Sequence, residues 1–394
     1  MAAANKMKNF SQRSSWIRKM FEEGSRMKAK FGADNVFDFS LGNPDLPPPE
    51  KFQEVLRNLA EHDALGVHKY MPNGGFPFVR EKVAEQVSLE QGVRVSQNEL
   101  LMTCGAAGAI NVALKAILDP GDEVIVLAPY FVEYNFYIDN QGGVSKIVET
   151  DEQFNLDCSA IKEALTPKTK ALIINSPNNP TGQIYSEQSL AELAEVLTEA
   201  GKKFGTAIHL ISDEPYRKIV FDDCSVPSIF KAYTNSIIVT SYSKDLSLPG
   251  ERIGFLVVHP EIDDKIALLE ALTLANRILG FVNAPAFMQR IVAELQGETV
   301  RTDIYTRRRD MLCALLSDAG CRFQPPKGAF YIFPEAPIED DVAFVALLQE
   351  QHILAVPGRG FGRPGYFRLA FCVEDEVIAK SAEPFKRAFS AAMK

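Results

Sequence analysis

The segment Ser241-Tyr242-Ser243-Lys244-Asp245-Leu246-Ser247-Leu248-Pro249-Gly250-Glu251-Arg252-Ile253-Gly254 sets an amine, hydroxyls and a guanidinium directly after the apolar run Ser236 to Thr240. A lysine amine can form a Schiff base with an aldehyde. The hydroxyls of Ser241 and Ser243 and the charge of Arg252 are the donors a phosphate ester requires. A loop that follows a strand lies at the sheet rim where open α/β folds bind ligands. Taken singly, Lys244 and Arg252 read equally well as solvated surface residues; the whole string does not.

Other segments carry compatible chemistry. Thr103-Cys104-Gly105-Ala106-Ala107-Gly108-Ala109 opens the helical pattern Ile110 to Leu118, and small residues there leave the first helical N–H groups open to an anion. Alone, such a stretch is also what tight helix packing requires. Pro129-Tyr130-Phe131-Val132-Glu133-Tyr134 offers flat apolar rings suited to offset stacking, or to a core. Ser176-Pro177-Asn178-Asn179-Pro180-Thr181-Gly182 is a turn after the strand-like Ala171 to Asn175. Asp213-Glu214-Pro215-Tyr216 follows Ile208 to Ser212, and its carboxylate is either a helix cap or a partner for a protonated ring nitrogen. Arg368 sits in the apolar Tyr366-Phe367-Arg368-Leu369-Ala370-Phe371, where its fork matches a carboxylate, from a substrate or from the protein itself.

The lysine string and these segments together resemble class I/II aminotransferases, fold type I enzymes dependent on pyridoxal 5′-phosphate, over nearly the whole chain. The resemblance implies a Schiff base between the cofactor and Lys244. It implies a phosphate cup of Gly105, Ala106 and Ala107 with Ser241, Ser243 and Arg252, and Phe131 stacked on the cofactor ring. Asn179 and Tyr216 would hydrogen-bond the phenolic oxygen, and Asp213 would keep the pyridine nitrogen protonated. Arg368, with Gly42 in Ser40-Leu41-Gly42-Asn43-Pro44 and Asn179, would hold the substrate α-carboxylate. Tyr70 would reach the phosphate of a neighbouring subunit, making the functional unit a homodimer with shared sites.

The activity so implied moves an amino group from an L-amino acid to a 2-oxo acid in a ping-pong sequence, with Lys244 as acid and base. In one branch of similar aspartate aminotransferases a cup lysine reads the side-chain carboxylate; Ala107 stands there in this chain. Trp16 and Ile17 could line the side-chain pocket or pack as ordinary helix residues, so a neutral or aromatic substrate is the expectation. The same fold and cofactor also support a C–S lyase acting by β-elimination. A non-enzymatic amino-acid sensor and a scaffold are the readings from other classes; the acidic balance argues against the first, and the joint presence of Lys244, Asp213, Asn179 and Arg252 against the second.

The elements that must position these residues follow from periodicity. Residues 11–31 read as an amphipathic helix, ended by the Pro-rich 43–49. Glu123–Leu127, Val144–Val148, Lys170–Asn175, Ile208–Ser212, Ser236–Thr240 and Gly254–Val258 are apolar runs separated by helical stretches, which predicts a mostly parallel sheet covered on both faces. The resemblance puts that sheet at about seven strands. Helices over 262–318, strands Ala329–Phe333 and Tyr366–Phe371, a helix near Asp341–Gln349 and a last helix from Glu374 form a smaller α+β unit. The expected division is 1–45 as arm and part of the small domain, 46–295 as cofactor domain, and 296–394 as small domain.

Composition bounds the alternatives. The 394 residues carry 42 Lys plus Arg against 51 Asp plus Glu, a net charge of −9 that disfavours nucleic acid and anionic membranes. The six cysteines are scattered without zinc-ligand spacing, and His62, His68, His209, His259 and His352 make no metal or triad pattern, so no metal is expected. Met1 to Lys8 resembles no export signal, and Ile266–Met288 is interrupted by Glu270 and Arg277. A reduced, cytoplasmic enzyme is the expectation.

Overall fold

A computed structural model describes residues 3–12, 16–62 and 66–393. The chain divides into two compact units: a larger one of Pro44–Thr302 with Lys327–Ala329, and a smaller one of the segment up to Asn43, Asp303–Pro326 and Phe330–Lys394.

The larger unit is built on seven strands: β1 (Leu100–Thr103), β2 (Glu123–Ala128), β3 (Val144–Glu149), β4 (Thr169–Asn175), β5 (His209–Asp213), β6 (Ser236–Ser241) and β7 (Gly254–Val258). Their spatial order is β1-β7-β6-β5-β4-β2-β3. All neighbouring pairs are parallel except those of β7, which runs against both β1 and β6. The six like-directed strands therefore end on one edge, where β7 begins.

Alternation along each strand explains why both faces are covered. Leu101, Ile237, Val239, Leu256 and Val258 point to the face packed by Ala109, Ile110, Ala113, Leu272 and Ala275 from the helices Gly105–Ile117 and Lys265–Ile278. Leu100, Met102, Ile238, Phe255 and Val257 point the other way, onto Val79, Val83, Val87 and Ile291. Further along the same face Ile125, Leu172 and Leu210 meet Leu190, Leu193 and Leu197 of the helix Glu187–Phe204. That helix starts where the Ser186 hydroxyl accepts from Ser189 N–H and stops at Gly205, which supplies the left-handed φ of 67°.

The smaller unit holds a three-stranded antiparallel sheet, with Phe367–Ala370 between Val356–Pro357 and Tyr331–Ile332, and a parallel pair of Phe37–Asp38 with Ile353–Leu354. Its core is aromatic: Phe39, Phe330, Phe333, Phe344, Phe361, Phe367, Phe371 and Phe385 are fully buried. The N-terminal helical pattern appears as Trp16–Phe31, preceded by Asn5–Gln12, and the C-terminal one as Asp375–Lys380 and Ala382–Ala392, separated at Ser381.

Three features differ from the sequence expectation. β1 is a seventh strand too short to announce itself by pattern, set up by a capping box in which Ser96 and Glu99 satisfy each other's backbone. The direction of β7 is invisible in its composition, because a doubly buried strand is apolar whichever way it runs. The strand expected at Ala329–Phe333 shortens to Tyr331–Ile332.

Gly254, at the start of β7, is a packing constraint at the functional edge. A Cβ there would collide with the Thr240 carbonyl oxygen and lie 3.0 Å from Gly105 Cα, whereas a Cβ on Gly250 meets nothing within 4 Å. Gly254→Ala is therefore expected to destabilise the protein by about 2 kcal/mol or more, as overpacking against backbone does. Gly250→Ala should stay within roughly 0.5 kcal/mol of wild type, as surface changes do. Urea unfolding of the two variants side by side decides it, and equal midpoints would refute the close-approach argument.

Candidate active site

Register brings the sequence-selected residues of the larger unit to one edge. Ser241, the last residue of β6, is paired with Gly254, and Gly254 with Thr103, so the lysine loop and the Gly105 helix start on either side of β7. One strand further, Asp213 closes β5 opposite Val239 and Asn175. Asn175 then acts as a staple. Its amide donates to the Asp213 carbonyl at 2.8 Å, and its Oδ1 accepts from Asn179 N–H at 2.7 Å. The turn below Asn179 is closed by Asn178, whose Oδ1 accepts from the Thr181 N–H and hydroxyl.

The lysine loop is held by backbone bonds from Tyr242 N to Ile253 O and from Leu248 N to Tyr242 O. Lys244 Nζ lies over the ring of Tyr216, 6.0 Å from its centroid. Ser241 and Ser243 are buried on either side of Tyr242. Arg252 adopts the left-handed region at φ 52° and its guanidinium donates to Pro249 O at 2.9 Å. A Cβ on Gly105, whose φ is +72°, would come within 3.0 Å of Arg252 Nη2. Glycine thus serves twice at that position, for the backbone turn and for the approach of the cation. The helix it opens has no side-chain cap at Cys104, so the N–H groups around Ala106 and Ala107 are not claimed by a capping side chain.

Asp213 is fully enclosed. Its Oδ2 accepts from the Tyr134 hydroxyl at 2.5 Å, while its Oδ1 is buried and accepts no hydrogen bond from any described residue. Burial pushes its carboxyl up from the ordinary 3.8 to about 7; the Tyr134 hydrogen bond pulls it down and the Glu214 carboxylate adds to the rise. Glu214 is itself held by Arg217 at 2.9 Å and by the Ser212 hydroxyl at 2.8 Å. Phe131 presents its ring edge-to-face to Tyr134, with centroids 5.7 Å apart.

Gly42 and Arg368 belong to the smaller unit. Arg368 is buried in the strand Phe367–Ala370 with its guanidinium 4.7 Å from the Tyr331 ring centroid and 4.8 Å from that of Phe361, and it donates to Ser40 O. Gly42 is required there, since a Cβ would collide with the Tyr331 hydroxyl. Trp16 packs on Gly360, whose ideal Cβ would lie 3.2 Å from the indole. The side chain of Ile17 lies outside the described residues. Tyr70, in the larger unit, is 92% exposed.

Tyr134, Asn175 and Tyr331 were not among the residues selected from the sequence. Tyr134 lies inside Pro129–Tyr134 and Asn175 inside Ala171–Asn175, where in sequence they read as core and strand; Tyr331 carries no signal beyond an apolar strand. The donor set fits pyridoxal 5′-phosphate: a buried carboxylate oxygen without a described partner, an amine beside a phenol, and an uncapped helix start next to a guanidinium. Among the described residues no His, Cys, Asp and Glu cluster suited to a metal occurs.

A raised carboxyl pKa stabilises the folded chain while protonated; that contribution is complete below 3.8 and lost as pH rises through about 7. In cofactor-free protein, Asp213→Asn should therefore flatten the decline in stability between pH 5 and pH 8, by about 3 kcal/mol at roughly 1.4 kcal/mol per pH unit over the two units up to pH 7. Urea midpoints at the two pH values test this, and parallel declines in wild type and variant would contradict it.

The family model for aminotransferase class I and II matches residues 34–385. The aspartate/prephenate aminotransferase of Thermus thermophilus is 34% identical over 88% of this chain and 89% of its own, and a probable aspartate/prephenate aminotransferase of Aquifex aeolicus is 34% identical over 93% of each. Among solved structures, an amino transferase from Eubacterium rectale superposes with a TM-score of 0.97 at 37% identity over all of both chains. The Thermus thermophilus aspartate aminotransferase with maleate gives 0.86 at 28%, over 98% of this chain and 100% of that one. With its seven-stranded sheet and lysine loop, this chain belongs to the class I and II aminotransferases, enzymes that use pyridoxal 5′-phosphate.

Proposed function

We propose that this aminotransferase works through Lys244, with Asp213, Asn179, Tyr216, Phe131, Arg252, Ser241, Ser243 and the amides of Gly105, Ala106 and Ala107 holding the cofactor. The observation that carries the reading is that one sheet edge brings together the Lys244 amine beside Tyr216 and the Asp213 carboxylate with its open Oδ1. Bound pyridoxal 5′-phosphate supplies an electron sink for the carbanion formed when an amino acid loses its Cα proton. Arg252 and the helix amides bind its phosphate. Lys244 Nζ, as a free amine, takes the Cα proton of the donor and, as the ammonium so formed, is the acid that passes it on; in the second half-reaction it delivers a proton to the Cα of the new amino acid. Arg368, steadied between two rings, takes the α-carboxylate with Gly42 and Asn179.

For the substrate side chain we infer a neutral or aromatic preference. Ala107 offers no cation to a second carboxylate, and Trp16 stands against Gly360, next in sequence to Phe361. The relatives named for aspartate make the dicarboxylic preference the competing outcome. We also infer a cytoplasmic homodimer. The exposed Tyr70 ring and the exposed Ile266, Leu274 and Ile278 of the helix Lys265–Ile278 support the dimer, and the absence of any disulfide among the six cysteines agrees with a reducing compartment. No described helix is long and apolar enough to cross a membrane.

Lys244→Ala is expected to abolish the borohydride-fixable link to the cofactor and to lower turnover by at least about 10³-fold, the scale of losing an essential base and nucleophile. Retention of the link would remove Lys244 from its role. A half-reaction screen across amino acids, reading conversion of the cofactor's absorbance to its amino form, should show aromatic or aliphatic donors outpacing aspartate and glutamate. Activity confined to the two acids would overturn the substrate assignment. Pyruvate released from a thio-amino acid without a 2-oxo acid acceptor would favour a lyase.

A further inference from the structure

We propose that Tyr134 is the positioning residue of this site, holding both the Asp213 carboxylate and the Phe131 ring for the pyridine ring of the cofactor. The inference rests on the cofactor assignment above and extends it to a residue with no assigned role. Tyr134 is buried at 2% exposure in the first turn of the helix Glu133–Asn140. Its hydroxyl donates to Asp213 Oδ2 at 2.5 Å, its ring meets Phe131 edge-to-face at 5.7 Å and 85°, and its N–H bonds the Phe131 carbonyl at 3.1 Å. One side chain thus touches the two groups expected at the edge and the face of the same aromatic ring.

The geometry at Asp213 makes the consequence specific. A carboxylate with two open oxygens can turn about Cβ–Cγ, whereas one whose Oδ2 is taken presents a defined Oδ1. That Oδ1 is buried without a described partner. Direction is fixed too: burial, and the Asp213 charge after it, hold the Tyr134 phenol well above its ordinary range, so it stays protonated and always donates. The other titratable groups acting on this pair are Glu214, next in the chain, Tyr216 on the same turn, and Tyr137 one helical turn on from Tyr134. Among these only Tyr134 hydrogen-bonds the carboxylate oxygens in the described structure. Its donation also favours the ionised carboxylate against burial, and the ionised form is the one that can pair with a protonated ring nitrogen.

The test is Tyr134→Phe, which keeps the ring and removes the hydroxyl. Stripped protein titrated with pyridoxal 5′-phosphate should bind about 10- to 100-fold more weakly than wild type, the range spanned by a hydrogen bond to a charged group. In the reconstituted enzyme the pH titration of the cofactor's absorbance should be displaced, and kcat should fall with little change in KM for the amino donor. A purely structural tyrosine would lower the melting temperature and leave binding and pH profile as they were, which would overturn the proposal. Tyr134→His, which keeps a ring N–H donor, should recover part of the lost affinity; if the phenylalanine variant does not fold, this variant against Tyr134→Leu carries the same comparison. In an Asp213→Asn background Tyr134→Phe should cost little more, because the two act as one unit. Additive losses would refute action through Asp213. Binding is read without turnover, so failure of the cofactor assignment is a separate result: wild-type protein that takes up no pyridoxal 5′-phosphate.

Discussion

A carboxylate that is fully enclosed and has one oxygen left open is the constraint on which the site is built. Burying an ionised carboxyl without a counter-charge is among the costliest things a fold can do, and such a group ordinarily relieves the cost by taking up a proton. Asp213 goes part of the way, since its carboxyl is pushed up to about 7. It cannot relieve the cost by moving. Its backbone is the last pair of a central strand, bonded on one side to β4 and on the other to β6, and its carbonyl is taken by Asn175. The position is therefore unfavourable in the empty protein and becomes favourable when a cationic N–H donor arrives. Stability is given up where ligand chemistry is gained, a pattern expected of functional sites.

The rest of the edge follows from how closely backbones approach around that carboxylate. β7 runs against its neighbours, so its first residue, Gly254, falls between the last residues of β1 and β6. The absence of a side chain there lets Gly105 and Thr240 close in, and the absence of one on Gly105 lets Arg252 reach the uncapped helix start. Two glycines and one reversed strand thus set the distance between an uncapped helix end and the Arg252 guanidinium. Apart from the Arg252 guanidinium, these contacts involve backbone alone. Spacing at this end of the sheet is therefore set by backbone, with the Arg252 side chain reaching into the room it leaves.

How much of this could be read beforehand depended on whether a feature is local. Six strands were legible because each is a compact apolar run bounded by turn residues, and the observed ends of Glu123–Ala128 and Ser236–Ser241 differ by one residue from the pattern. The lysine string was legible because a reactive amine, hydroxyls and an arginine at fixed spacing rarely coincide. β1 was not, since three apolar residues and a threonine after a capped turn carry no period to measure. The reversal of β7 was not, because direction leaves no trace in a strand buried on both faces. Tyr134 was in plain view within Pro129–Tyr134, yet an aromatic in an aromatic cluster reads as core until its hydroxyl is seen against a carboxylate 79 positions away. Gly42 and Tyr331 are the same lesson, a fit between residues far apart in the chain that no local pattern encodes.

A net charge of −9 is compatible with binding substrates that carry carboxylates. At physiological salt, exposed charges act over a Debye length of about 8 Å, so the acidic surface repels a carboxylate only at close range and weakly. What holds the carboxylate has to be desolvated and short-ranged. Arg368 meets that requirement: its guanidinium is delocalised and weakly hydrated, it lies against two ring faces, and Gly42 leaves room for the Tyr331 hydroxyl beside it. In the role proposed above, a group so placed would read the α-carboxylate that every amino acid carries and be blind to the side chain. On the proposal made above, discrimination among amino acids falls on residues that do no chemistry, and Ala107 and Trp16, the two proposed for it, carry no charge to answer a second carboxylate.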